Sequence, residues 1–171
     1  MKETLETINR MQADGVIGQY AIGGAVGATL YLDPVATLDV DVFVMLPGVD
    51  RGRIVSLTPI YEYLTKSGCQ IKGEYIVIGS WPVQFLPPGN LLEEEAVYQA
   101  VQAEVRDIQT WVMTAEHLVA IALQTGRAKD HSRILQFLER NAVDLNKLSN
   151  ILTRHSLTSK WANFKKRYPN E

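Results

Sequence analysis

The stretch YAIGGAVGATLYLDPVATLDVDVFVM, residues 20–45, decides how this chain folds. It begins with a short apolar segment, continues through a Gly-Gly pair, and ends in a segment rich in Val and Phe over 38–45. This order predicts a strand, a tight turn, an amphipathic helix and a second, buried strand. The second strand contains two acids, Asp39 and Asp41, which a purely structural core strand would not contain.

Asp39 and Asp41 are expected on the same face of this strand, because side chains alternate between the two faces of a sheet. Their carboxylates would then lie about 6.5 Å apart. At an effective dielectric constant of about 20, two unit charges at that distance repel by roughly 2.5 kcal/mol. A divalent cation would offset this repulsion, and Mg²⁺ is often bound through one or two carboxylates together with substrate phosphates. The alternative is that both acids lie at an exposed sheet edge and are solvated.

Gly23 and Gly24 are expected to form the turn that leads into the helix, since glycine permits positive φ and close approach of the backbone. Backbone N–H groups exposed at such a turn and helix start can hold a phosphate group. A Gly-Gly pair alone more often marks an ordinary turn. In front of the acid strand, the pair predicts a site with donors for an anion on one side and ligands for a metal on the other.

These residues resemble the signature of the nucleotidyltransferase superfamily, the DNA polymerase beta-like fold, in which a Gly-Gly or Gly-Ser turn precedes an Asp-x-Asp strand. Here the turn is IGG at residues 22–24 and the strand motif is DVDV at residues 39–42. The chain looks most like the small stand-alone bacterial members related to the AbiEii-type toxins. A second stretch, GRAKDHSR at residues 126–133, is similar to the R-x-K-D-x-x-R segment in the helical half of those proteins.

The resemblance implies an enzyme that transfers a nucleoside monophosphate from a nucleoside triphosphate to an acceptor hydroxyl. It implies catalytic and Mg²⁺-binding roles for Asp39 and Asp41, and contacts between the phosphates and the turn formed by Gly23 and Gly24. Superfamily members use RNA, protein hydroxyls or small molecules as acceptors. The toxin-like relatives make RNA 3′ ends the first expectation, and an antitoxin protein a further expected partner.

The second stretch supplies the remaining predicted nucleotide-binding residues, Lys129, Asp130 and Arg133. In the toxin-like relatives a basic residue of the helical half contacts the triphosphate, which implies that role for Lys129. The alternative interpretation is that these three residues are helix-start charges that form i,i+3 pairs on a solvated face.

The chain departs from the superfamily pattern at the third carboxylate, which a later strand supplies in most members. The corresponding strand here is WPVQFL at residues 81–86, and Gln84 stands where the acid is expected. An amide can donate to a phosphate or coordinate weakly, but it cannot act as a general base. Glu74, on the preceding strand, could substitute if the two strands are adjacent. A non-catalytic nucleotide-binding or regulatory protein on the same fold is therefore the alternative function.

The composition separates the chain into an acidic part and a basic part. Residues 1–126 contain 7 Lys and Arg against 15 Asp and Glu, for −8, whereas residues 127–171 contain 10 against 4, for +6. A basic tail can indicate a polyanionic partner, although surface helices are often basic without one. The lone Cys69 excludes a disulfide framework and a cysteine metal site. The polar N-terminus and the lack of a long apolar run lead us to expect a cytoplasmic protein without membrane spans.

The predicted architecture is α/β (α+β), with a nucleotidyltransferase-like mixed sheet flanked by helices and followed by a C-terminal helical bundle. Residues 1–113 would form the α/β domain and residues 114–171 the helical domain. We interpret the acid run at 93–95 as a solvated helix start, and His117, His131 and His155 as surface or capping residues. Helices are predicted over 1–15, 50–67 (with Asp50 as cap and Pro59 as a break), 91–98, 114–123, 132–140, 144–153 and 157–168, and strands over 69–72, 74–78, 83–86 and within 101–113.

Overall fold

A computed structural model describes residues 1–34, 37, 39–49 and 54–169. The strands within these residues are β1 (Tyr20–Ile22), β2 (Val40–Val44), β3 (Gln70–Lys72), β4 (Tyr75–Ile78), β5 (Trp81–Leu86), β6 (Val101–Val105) and β7 (Ile108–Val112). The helices are α1 (Lys2–Ala13), α2 (Gly24–Ala28), α3 (Thr58–Lys66), α4 (Leu91–Tyr98), α5 (Ala115–Thr125), α6 (Ala128–Glu139), α7 (Leu145–Arg154) and α8 (Thr158–Arg167). The strands form one mixed sheet in the order β3-β4-β5-β2-β1-β7-β6, so the predicted α/β architecture is confirmed.

Strand β2 lies at the centre of the sheet, antiparallel to β1 and parallel to β5. Its three valines are buried in a hydrophobic cluster with α1 and α3 on one face of the sheet. Phe43 belongs to a second cluster, formed with the C-terminal helices on the other face. The predicted alternation of the strand is therefore confirmed, and it directs Asp41 toward the helical side. The strand was predicted over 38–45 but begins at Val40, so Asp39 directly precedes it; Leu38 lies outside the described residues.

The helix predicted between the Gly-Gly pair and β2 is shorter than expected, because α2 contains five residues. Gly27 packs closely against β1, and a Cβ at this position would lie 2.7 Å from the carbonyl oxygen of Ile22. The Thr29 hydroxyl then donates to the Val26 carbonyl at 2.7 Å, a local bond that competes with continuation of the helix. The turn of the site is consequently held directly against the sheet.

The strands predicted over 69–72, 74–78 and 83–86 are present as β3, β4 and β5, which pair in antiparallel fashion. Strand β5 pairs in parallel with β2. The three strands β3, β4 and β5 therefore continue the sheet on one side of the acid-bearing strand β2. In the part of the chain that the structure describes, every helix is too short or too polar to cross a lipid bilayer.

Helix α3 begins later than the predicted helix over 50–67. It starts at Thr58 and has Pro59 in its first turn, where the missing proline N–H leaves no helical hydrogen bond unmade. The predicted helix is therefore interrupted at Pro59, which lies in the first turn of α3, and residues 54–57 are not helical. Asp50, the predicted cap, lies outside the described residues.

Helix α4 and the two strands after it follow the prediction closely. The Asn90 side chain caps α4 by accepting from the Glu93 N–H at 3.0 Å. The segment within 101–113 forms a hairpin of β6 and β7. Its two turn residues, Arg106 and Asp107, have φ of 53° and 64°, the backbone geometry that matches the twist of two-residue hairpins.

The C-terminal part is helical, as predicted. Thr114 caps α5 by accepting from the His117 N–H at 3.2 Å, and α6 begins at Ala128 rather than at residue 132. The hydrophobic cluster of these helices includes Ala21 and Phe43 of the sheet, so it continues across the predicted boundary at 113. The division into two domains stays a prediction.

Candidate active site

A cleft of about 780 Å³ lies between the acid-bearing face of the sheet and the facing side of α5 and α6. The polar side chains that the sheet side contributes to it are Thr37, Asp39, Asp41, Glu74, Tyr75 and Gln84. The polar side chains that α5, α6 and the turn between them contribute are Thr125, Arg127, Lys129, Asp130, Ser132, Arg133 and Gln136, and Glu93 of α4 also lines the cleft. An acidic wall thus faces a wall with three cations across one space.

Asp41 lies at the centre of the acidic wall. Burial raises the pKa of its carboxyl, and the charge of Asp39 raises it further, whereas Arg133, Lys129 and Arg127 lower it. The net shift is upward, so burial and the charge of Asp39 together outweigh the effect of the three basic side chains. The repulsion predicted from the sequence is present. The alternative, that both acids are solvated at an exposed sheet edge, is wrong for Asp41, because β2 is a central strand.

The Gly-Gly turn is shaped around Asp41. Gly24 has φ of +56°, and a Cβ at this position would overlap the Asp41 Oδ2 atom. Gly23 donates its N–H to the Asp41 carbonyl at 3.0 Å, and a Cβ there would come within 2.9 Å of Cε2 of the Phe43 ring. Both positions require glycine, because the backbone of the turn lies against residues of β2.

Gln84 lies beside Asp41, since these two residues are partners in the parallel pairing of β2 and β5. Strand β5, on which a third acid was expected, lies next to β2 as expected, and it carries the amide of Gln84 at that position. Glu74 lines the same cleft, together with its neighbour Tyr75. Hydrogen bonding to Glu74 raises the pKa of the Tyr75 hydroxyl, and the charge of Asp39 acts in the same direction.

The basic wall is built on the first turn of α6. Asp130 is only 2% exposed and accepts from the Arg127 side chain at 2.7 Å and 3.2 Å and from the Arg127 N–H at 3.1 Å. Burial would raise the pKa of the Asp130 carboxyl, but these hydrogen bonds outweigh burial and lower it. Asp130 therefore orients Arg127 and starts the helix. Asp130 does form an i,i+3 pair, but with Arg127, which lies outside the three residues for which such pairs were predicted. Lys129 and Arg133 line the cleft.

Most of the site residues predicted from the sequence lie together. Those that line the cleft are Gly24, Asp39, Asp41, Gln84, Lys129, Asp130 and Arg133. Gly23 lies behind the lining, between Phe43 and Met113. We did not predict Arg127 or Tyr75. Arg127 could have been recognised from its i,i+3 spacing to Asp130, whereas the location of Tyr75 depends on strand register.

A Mg²⁺ ion fits the chemistry of the acid pair. Asp39 and Asp41 provide hard oxygen ligands, and the pKa of Asp41 is raised first by burial and then by the charge of Asp39, two unfavourable effects that a bound cation would offset. Among the described residues, no group of three or more His, Cys, Asp or Glu side chains is arranged to hold a metal ion. The donor set therefore matches an ion that uses one or two carboxylates and completes its shell with substrate phosphates and water.

A second polar cluster surrounds Glu95 and is separate from the lining of the cleft. Glu95 accepts from Arg154 at 2.5 Å, His155 at 2.7 Å and His117 at 3.1 Å. The solvated helix start predicted for 93–95 is thus wrong for Glu95, and the surface location is wrong for His117, which is 1% exposed. His155 is the C-cap residue of α7, as expected for a capping residue.

The fold is similar to two solved structures at low sequence identity. One is the crystal structure of an antigenic nucleotidyltransferase-like protein from Paracoccidioides brasiliensis, with a TM-score of 0.62, 14% identity, and coverage of 98% of this chain and 88% of that one. The other is the solution structure of the antibiotic-resistance factor ANT(2'')-Ia, with a TM-score of 0.52, 14% identity, and coverage of 99% and 98%. No protein-family profile and no curated protein sequence matches the chain. The chain therefore has a nucleotidyltransferase-like fold.

Proposed function

We propose that this protein transfers a nucleoside monophosphate from a nucleoside triphosphate to an acceptor hydroxyl with the aid of Mg²⁺. The main observation behind the proposal is that an acidic wall and a basic wall face each other across one cleft. Asp39 and Asp41 face the cations of α6 across a space of about 780 Å³, and this arrangement suits a metal-bound polyphosphate. The nucleotidyltransferase-like fold of the two solved structures supports the same class of reaction.

The cations would hold the triphosphate. Lys129 and Arg133 are directed to the cleft from successive turns of α6, and Arg127 is oriented beside them by its bonds to Asp130. Lysine acts on phosphate as a compact charge and arginine as a fork of donors. Asp130 is then a positioning residue, because both of its oxygens already accept from Arg127.

Asp39 and Asp41 would hold Mg²⁺, which supplies charge neutralisation at the α-phosphate and at the departing pyrophosphate. Gly24 lets the Asp41 carboxylate approach the turn, and the Gly23 N–H fixes the backbone of β2 at this point. The acceptor oxygen would attack the α-phosphorus in line as the bond to pyrophosphate breaks. Gln84 would contribute an amide donor or oxygen beside Asp41, without taking a proton.

The acceptor we favour is a polyanion, with RNA 3′ ends as the first candidate. Its support is the net charge of +6 over 127–171, together with the sequence resemblance to AbiEii-type toxins. The same resemblance is the basis for proposing an antitoxin protein as a partner. A small-molecule acceptor is the second candidate, because one of the similar folds is described as an antibiotic-resistance factor.

A non-catalytic nucleotide-binding or regulatory protein is the alternative function. The specific observation in its favour is Gln84, which is next to Asp41 and brings no third carboxylate to the site. This alternative predicts Mg²⁺-dependent nucleotide binding without turnover.

The test is transfer of label from each of the four α-labelled nucleoside triphosphates, with Mg²⁺, to total cellular RNA, to protein and to small molecules. Wild type would be compared with Asp41→Asn, which keeps the shape of the side chain and removes its charge, and with Glu62→Gln as a remote control. We expect label that is lost in Asp41→Asn and retained in Glu62→Gln. Nucleotide binding without transfer under any condition would support the non-catalytic alternative. If the protein neither bound nor transferred a nucleotide, both the enzymatic function and the non-catalytic alternative would be excluded.

A further inference from the structure

Tyr75 lies on the cleft side of the sheet, in line with the acid-bearing strand. Strand β4 pairs with β5 through Ile76 and Val83, so Tyr75 is one residue beyond this pair and next to Gln84. Gln84 in turn is the register partner of Asp41. Because Ile76 is buried on the opposite face, alternation directs Tyr75 toward the cleft, which it lines.

Two carboxylates, those of Glu74 and Asp39, lie beside the hydroxyl of Tyr75. Asp39 is one of the two acids that would bind Mg²⁺, whereas Glu74 is not assigned to the metal. Tyr75 is the first residue of β4 and directly follows the turn that connects β3 to β4. Its ring is not part of the buried core.

We propose that the Tyr75 hydroxyl is itself an acceptor, so that the protein nucleotidylates its own chain at this residue. This inference rests on the nucleotidyl-transfer function proposed above. The Tyr75 oxygen would form a bond to the α-phosphorus of the nucleoside triphosphate while the bond to the bridging oxygen of pyrophosphate breaks. Pyrophosphate leaves with that electron pair, and the phenolic proton passes to the Glu74 carboxylate. The product is a tyrosine phosphodiester.

Other hydroxyls near the cleft are less suited to this reaction. The Thr37 hydroxyl donates to the Asp39 carbonyl at 3.2 Å and to Asp39 Oδ1 at 3.4 Å, so the carboxylate beside it is one that would hold Mg²⁺. The Thr125 hydroxyl donates to the Ile121 carbonyl at 2.9 Å, and Ser132 lies on the basic wall of α6, across the cleft from the carboxylates. Tyr75 combines access to the cleft with an adjacent carboxylate that can receive the proton.

The experiment is intact-mass measurement of the full chain after incubation with Mg²⁺ and each nucleoside triphosphate, followed by peptide sequencing of any adduct. Asp41→Asn removes the proposed catalytic charge, and Tyr75→Phe removes the acceptor oxygen. Tyr63→Phe is the matched control, since the Tyr63 hydroxyl is exposed and donates to a carboxylate, that of Asp14, at 2.6 Å, outside the cleft. External RNA and protein are labelled in parallel.

We expect a mass increase of one nucleoside monophosphate on the Tyr75 peptide of wild type and Tyr63→Phe, and its loss in Tyr75→Phe and Asp41→Asn. The modified fraction at a fixed time should not depend on protein concentration, because the acceptor lies in the same cleft. An adduct on another residue, an adduct that persists in Tyr75→Phe, or a fraction that rises with concentration would overturn the inference. Transfer to external acceptors without self-modification would overturn it and leave the proposed function standing, whereas absence of both would reject the proposed function itself.

Discussion

At the scale of single residues, Gly24 carries the tightest constraint in the candidate site. Its φ of +56° and the overlap between a Cβ and Asp41 Oδ2 are separate penalties. Gly24→Ala should destabilise the fold by about 1–3 kcal/mol through backbone strain. It should also displace the Asp41 carboxylate and abolish nucleotidyl transfer. Chemical denaturation and the label-transfer assay measure the two effects.

Gly15→Ala separates the two penalties. Gly15 has φ of +72°, and a Cβ there would meet nothing within 4 Å, so this variant carries the strain alone. We expect it to lose stability while keeping transfer activity. If Gly24→Ala and Gly15→Ala kept the same activity, the close approach of Gly24 to Asp41 would have no role in the reaction.

Gln84 gives the second prediction at this scale. Because Gln84 pairs with Asp41 across β2 and β5, Gln84→Asp would place a third carboxylate beside the acid pair. If the chain is a decayed enzyme, transfer activity should appear or rise in this variant, and Mg²⁺ should bind more tightly by calorimetry. A fall in existing activity would instead show that the amide has a working role. Gln136→Asp, which adds an acid on the helical side of the same cleft, controls for the charge alone.

Single residues near the turn could be predicted from the sequence because their constraints are local. The spacing of Asp39 and Asp41 fixes their common face by strand alternation, and the Gly-Gly pair marks the close turn by its backbone freedom. Tyr75 could not be predicted, since its position beside Gln84 depends on the register of two strands. Register is set by pairing between segments and cannot be read along one of them.

At the scale of elements, the start of α6 positions the basic wall. Asp130 accepts from the Arg127 N–H and side chain, so Asp130→Ala removes a helix cap and releases a cation. We expect a loss of about 1 kcal/mol in the free energy of unfolding. We also expect a raised KM for the nucleoside triphosphate with a smaller change in kcat, because Arg127 contributes to binding through its orientation. Steady-state kinetics and denaturation measure both.

Asp144→Ala is the matched control for this prediction. Asp144 caps α7 by accepting from the Asn146 and Lys147 N–H groups at 2.9 Å and 3.1 Å, and it does not line the cleft. Its removal should lower stability by a similar amount and leave KM unchanged. An equal rise of KM in both variants would mean that the effect of Asp130 comes from loss of stability alone.

The sequence predicts whether a segment is a helix or a strand where its hydrophobic periodicity and its capping residues indicate the same element. It predicts the first and last residues of these elements less well. Asn90 and Thr114 start α4 and α5 as caps, which local chemistry predicts. The start of α6 was expected at residue 132 but lies at Ala128. The difference arises because Asp130 makes its capping bonds to Arg127, a residue that resembles part of a charged loop in the sequence.

At the scale of the whole molecule, the polar cluster around Glu95 joins segments that are far apart in the sequence. Glu95 belongs to α4, His117 to α5, and Arg154 and His155 to the end of α7. The sequence shows an acid run and separate basic residues, and nothing local indicates that they meet. Such contacts depend on how the helices pack against the sheet, which explains why a solvated helix start was predicted here.

Glu95 should make the stability of the whole fold sensitive to acid. Burial raises the pKa of its carboxyl, but hydrogen bonds from Arg154, His155 and His117 outweigh burial and hold it at about 2, below the ordinary value of 4.5. A carboxyl with a depressed pKa stabilises the folded state fully above its ordinary pKa. That contribution is lost as pH falls from about 4.5 to about 2. The shift corresponds to at most about 3 kcal/mol.

Urea denaturation at pH 5, 4 and 3 would measure this contribution in wild type and in Glu95→Gln. We expect the free energy of unfolding of wild type to fall more steeply over this range, because Glu95→Gln has no proton to take up at that position. Glu104→Gln is the control, since Glu104 is exposed on β6 and accepts from Gln109 of the neighbouring strand β7. Parallel curves for wild type and Glu95→Gln would show that the carboxylate does not hold the helices together. A convergence of the two curves toward pH 3 would show that α4, α5 and α7 are joined through one ionised side chain.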